Sequence, residues 1–121
     1  MSLAVYKIMH YFGLAFVLAS LGAVTGHALR GADEPHPKKG LLAAGHGIGM
    51  VLMLVAGFGM LARLGGAMMP SWVIPKLIIW LLLGAAFSVA KRAPKAAMLL
   101  WLLLPVLVAT AAAFALYKPG A

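Results

Sequence analysis

The chain has 121 residues, 64% hydrophobic and 10% charged, with ten Lys and Arg against two Asp and Glu for a net charge of +8. Soluble domains run at about 45–50% apolar and about 25% charged, so this is a membrane composition, and no second domain fits outside the apolar runs. The lack of cysteine excludes disulfides, thiolate metal sites, iron–sulfur clusters and covalent c-type haem.

Taken in order, Leu3 to Ala28 is the first apolar run, broken only by Lys7, His10 and His27. It is too long for a signal-peptide core and lacks a basic start and an Ala-x-Ala exit, so it reads as a retained span. A polar loop follows from Arg30 to Lys39 and holds both acids, Asp33 and Glu34. The remaining runs are Leu41 to Leu64, Ser71 to Ala90 and Ala96 to Tyr117. Pro70, Pro75 and Pro94 stand where a helix can begin, whereas Pro105 lies inside the fourth run and is expected to kink it. Each run reaches the roughly 20 residues that cross a bilayer. The prediction is an all-α integral membrane protein, a single membrane domain over residues 1–121. Its spans lie at about 3–28, 41–64, 71–90 and 96–117, joined by short connections into an antiparallel up-down bundle of four helices.

Positive charge sets the orientation and the partners. Arg30, Lys38, Lys39, Lys91, Arg92 and Lys95 fall on one side, against Lys7, Arg63 and Lys118 on the other. The richer side is expected in the cytoplasm of a cell whose inner (plasma) membrane holds the chain, with both termini outside. These cations sit at the ends of apolar runs without alternating aromatics. They fit lipid headgroups as partners and exclude nucleic acid. A homo-oligomer or a membrane redox partner is left open. Trp72, Tyr6 and Tyr117, at span ends, read as interfacial anchors.

Two groups stand out by depth. Lys76 lies a few residues inside the third span, where an ammonium costs roughly 2.5–3.5 kcal/mol at mid-helix. It either snorkels to the interface or faces inward toward an anion, because no embedded acid is available to neutralise it. His10 lies about 10 Å into the first span from the same side. It either bonds to a neighbouring backbone carbonyl or hydroxyl, or serves as a ligand, neutral imidazole being suited to haem iron, copper or zinc. The two are expected to share a cavity in the outer half of the bundle. His10, Gly13, Val17, Ser20 and Val24 form one helical seam, small enough at Gly13 and Ser20 for close approach. His46, Met50, Met53, Gly57 and Met60 form a second, and Lys76, Trp80, Leu83 and Phe87 a third. His46, level with His27 toward the cytoplasmic side by the same count, is a further metal-ligand candidate in addition to His10. The methionines suit Cu(I), although methionine at this spacing is more often packing.

Lys7-x-x-His10, with Trp72-x-x-x-Lys76-Leu77 opening the third span, resembles the small membrane proteins of the HemJ and SirB type, with CopD more distant. The resemblance implies haem binding and protoporphyrinogen oxidation, carried by His10 and Lys76. Ile74 stands where the HemJ pattern has a histidine, and the arginine-rich middle is missing, so the SirB-like branch is the closer match. The expected function is thus a b-type haem or porphyrin-binding protein. His10 would be an axial ligand, Lys76 a partner for a propionate, and Trp80 part of a roomy apolar wall. A non-catalytic accessory subunit and a copper-handling protein are the alternatives. Proton-coupled export is rejected for want of an embedded carboxylate. Hydrolysis lacks any Ser–His–acid set.

Overall fold

The computed structural model describes residues 2–31, 34–66 and 69–118, and among these it is built from helices alone. They are α1 (Leu3–Leu29), α2 (Lys39–Leu64), α3 (Val73–Arg92) and α4 (Ala97–Tyr117), with a 3-10 turn over Pro94–Ala96 ahead of α4. All four are long and apolar enough to cross a membrane. The protein is therefore a multi-pass helical bundle in lipid. Local chemistry sets the helix ends. Ser2 caps α1, its hydroxyl accepting the Val5 N–H at 3.2 Å. The chain leaves α2 through Gly65 and Gly66 at φ 76° and 83°, a backbone that side chains resist. α4 runs on through Pro105, whose ring nitrogen leaves the Trp101 carbonyl without its intrahelical donor.

The helices alternate in direction, so one end of the bundle holds both termini and the α2–α3 connection. We call this the terminal end. The other, the loop end, carries the α1–α2 and α3–α4 connections. The most extensive interface is between α1 and α2, whereas among the described residues the backbones of α2 and α4 do not approach one another. The cause is a run of small residues. A Cβ on Gly49 would lie 2.7 Å from the Gly13 carbonyl oxygen, and one on Gly13 2.8 Å from that of Gly49. The two backbones are in direct contact. Nearer the loop end, Gly45 packs against Ser20. Nearer the terminal end, the space left by Gly59 is filled by the Tyr6 ring. Tyr6, expected as an interfacial anchor, is consequently half-buried against α2.

Around this pair the core joins Val17, Leu21 and Val24 of α1 to Met50 and Met53 of α2, Ile79, Leu83 and Phe87 of α3, and Leu104 of α4. The α2 stripe thus turns inward, with His46, Met50 and Met53 buried and Gly57 and Met60 half-buried. α4 is held differently. It buries Ala97 and Leu104 in its first half, and no described residue after Leu104 is buried.

The Gly13–Gly49 contact gives a direct test. Gly49→Ala forces two backbones apart and should lower stability in detergent by about 1–3 kcal/mol. Gly47→Ala, where a Cβ meets nothing within 4 Å, should leave the unfolding midpoint unchanged or slightly raised.

Candidate functional site

Three side chains donate to helix carbonyls that already belong to the bundle interior. The His10 Nδ1–H donates to the Met53 carbonyl at 2.8 Å. The Trp80 Nε1–H donates to the Met50 carbonyl at 3.0 Å, and the His46 Nε2–H to that of Leu83 at 3.2 Å. A carbonyl can only accept, so each bond fixes where the ring proton sits. In neutral His10 the proton is on Nδ1 and the lone pair on Nε2. These bonds tie α1 to α2 and, twice, α2 to α3, whose backbones otherwise touch sparingly.

A cavity of about 430 Å³ opens in the terminal half of the bundle, lined by all four helices. His10, Lys76 and Trp80 all line it. The depth argument from sequence places His10 and Lys76 level, and the structure brings them to one space. The walls are apolar, among them Leu14, Met53, Phe58, Leu61 and Ile79. His46 is not among the lining residues: its ring is buried, stacked on Phe87 at 4.7 Å between centroids, and its Nε2–H is taken by α3. The seven-residue step from His46 to Met53 sets it about 10 Å along α2 from the carbonyl that holds His10. His10 and His46 therefore serve separate levels of the bundle. No group of three or more His, Cys, Asp or Glu suited to a metal ion occurs among the described residues.

The cavity gathers more cations than the seams indicate. Lys7 and Lys118 line it together with Lys76. Lys76 Nζ stands 5.9 Å from the Trp72 ring centroid and Lys118 Nζ 5.3 Å, so one indole serves two ammonium groups. Trp72, expected as an interfacial anchor, is only 9% exposed, packed with Leu61 and Phe58 of α2 and with Val73 and Leu77 of α3 beneath these lysines. Lys118 arrives there because the chain turns at φ 45° as α4 ends, and its Nζ also donates to the Ala115 carbonyl at 2.6 Å. Neither acid of the chain lies near this end in sequence, since both fall between α1 and α2. Lys7 was readable, one helical turn before His10. Lys118 was not, because its reach depends on a left-handed turn at a helix end.

At the loop end His27 and His36 meet, ring centroids 5.1 Å apart. The His27 Nε2–H donates to the Glu34 carbonyl at 2.8 Å, and His36 Nδ1 accepts the Lys38 backbone N–H at 3.0 Å. These two histidines fasten the α1–α2 connection to the end of α1. Asp33, one of the two acids of this connection, lies outside the described residues.

Compared with protein-family models, curated proteins and solved structures, the chain gives no significant match to any.

The interhelical bonds yield a measurable expectation. Trp80→Phe keeps an aromatic ring but removes the indole N–H that donates to Met50, and should reduce stability by about 0.6 kcal/mol for the lost bond, the usual scale in membranes, plus the smaller side chain's lost packing. Reversible unfolding in mixed micelles reads it. A loss near that of Gly49→Ala would mean that the indole does more than tie two helices.

Proposed function

We propose that this protein binds a b-type haem or porphyrin in the cavity of its terminal half, as the resemblance to the HemJ and SirB type implies. The observation that carries the reading is the His10 ring. Its Nδ1–H is held by the Met53 carbonyl, the arrangement by which proteins orient a ligating imidazole, and its lone pair is left on Nε2 of a cavity-lining side chain. The other requirements are of the same kind. The volume falls within the roughly 300–1,000 Å³ of small-molecule sites. Apolar walls suit a macrocycle, Trp80 is locked in place by Met50, and Lys76, with Lys7 and Lys118, offers ammonium groups to propionates. Haem held there would supply one-electron chemistry, tuned by its axial ligand and by the polarity around it. What the chain contributes is an oriented imidazole, an anion-binding rim and a wall that excludes water from the apolar part.

The test is an absorption spectrum of the protein extracted from its native membrane. A Soret band should be present, lost in His10→Ala and kept in His46→Gln, since His46 lies away from the cavity. A colourless protein in which His10 and Lys76 substitutions alter only stability would favour the accessory-subunit reading. Copper is the second metal reading, favoured by Met53 and Met60 lining the cavity with His10. Metal analysis after purification without chelator separates it from haem.

The same reading places the chain in the inner membrane with the terminal end outside, on the strength of the Lys and Arg asymmetry. Since the chain has no cysteine, single ones report cleanly. Ser2→Cys should react with an impermeant maleimide in intact cells, and Lys95→Cys only after permeabilisation. The opposite pattern would invert the orientation and put the cavity on the cytoplasmic side.

A further inference from the structure

The cavity is unevenly walled, and the unevenness has a direction. Its α2 and α3 residues are buried or half-buried, apart from Leu64 at the end of α2. Its α1 and α4 edges are open: Tyr11 is 59% exposed and Leu116 79%, and Lys7, Ala112 and Lys118 are exposed as well. Along α1 the open edge reaches Tyr11, eight residues past the start of the helix, or about 12 Å. Along α4 it reaches Ala112, five residues before the end, or about 7.5 Å. An opening at those depths faces hydrocarbon rather than water. It also coincides with the half of α4 in which no described residue is buried.

The geometry points to lateral loading: a membrane-dissolved amphiphile with an anionic head enters from the bilayer through the slot between α1 and α4, and Lys7, Lys76 and Lys118 hold its head at the rim. The inference deepens the porphyrin reading and rests on it only for the identity of the ligand. Its physical basis is the matched polarity of slot and ligand. The lower edges, Tyr11 and Ala112, present largely apolar surface at a depth where an apolar body already resides, so passage exposes little of that body to water. The upper edges, Lys7 and Lys118, lie where a lipid-borne carboxylate or phosphate sits, and lysine stems reach that level readily. Lys76 and Lys118 share the Trp72 ring, and among the described residues no acidic side chain lines the cavity to separate their charges. In a medium of low dielectric such a pair repels unless an anion lies between. The bulk charge of the chain supports the same sign of ligand, because ten Lys and Arg stand against two acids, and both acids fall in sequence between α1 and α2.

The test uses the full chain in lipid nanodiscs and follows transfer of protoporphyrin IX from donor vesicles by fluorescence, with cis-parinaric acid as a second, non-porphyrin probe. Ala112→Trp fills the slot and should slow transfer by about tenfold or more. Ala113→Trp, exposed to lipid but not lining the cavity, should stay near the wild-type rate. Leu116→Trp, on the same edge, provides the comparison if Ala112→Trp does not fold. Lys118→Ala should speed release of both probes several-fold. Wild-type rates in both slot variants would overturn lateral loading, as would a wild-type protein that takes up neither probe. Uptake of parinaric acid without protoporphyrin, slowed by the slot variants, would remove the porphyrin reading and leave the lateral route standing.

Discussion

The structure depends on the backbone contact between Gly13 and Gly49. Lipid tails are as apolar as leucine, so no hydrophobic force draws two spans together, and close packing must carry much of their association. Here the approach is near enough that each glycine occupies the place of the other's Cβ. That contact fixes the register of α1 on α2. The register in turn puts the Met53 carbonyl at hydrogen-bond distance from His10 and the Tyr6 ring in the notch at Gly59. Among the described residues the α2 and α4 backbones stay apart, and the cavity lies where side chains of all four helices converge.

Interhelical polar contacts follow a common pattern in this bundle. Each of the three interior rings donates to a main-chain carbonyl rather than to another side chain. A helix carbonyl has a second lone pair beyond the one its own ladder uses, so such a bond needs no polar partner of its own. It also leaves the imidazole of His10 with one nitrogen committed and the other open, a division of roles that two facing side chains would not impose. The chain thus places a histidine deep in lipid without placing an acid beside it.

Much of this was legible in the residues. Hydropathy alone marks four spans, and spacing marks which faces of α1, α2 and α3 turn inward. Depth counted from helix starts levels His10 with Lys76, because alternation of direction converts sequence position into height. What spacing could not supply is the identity of the neighbour. His10 and His46 lie on inward faces of adjacent helices at different depths, yet spacing does not tell that one borders the cavity and the other stacks on Phe87. Gly47 and Gly49 are indistinguishable by residue type, and only the second touches another backbone. Trp72 reads as an anchor at a span end until Lys118 is seen folded back over it, which follows from a turn and not from any pattern.

The light hold on the second half of α4 bears on how the protein is made. A chain is synthesised from its first residue, so α1 and α2 are complete, and their glycine contact available, before α4 emerges. The last helix then docks on a three-helix partner through Ala97, Leu104 and their neighbours near the loop end. Only the stretch from Val108 to Lys118, about three turns, closes the far side of the cavity. Synthesis and binding competence are thereby separated in time: the scaffold is assembled early, and the chamber comes into being only once α4 has left the ribosome.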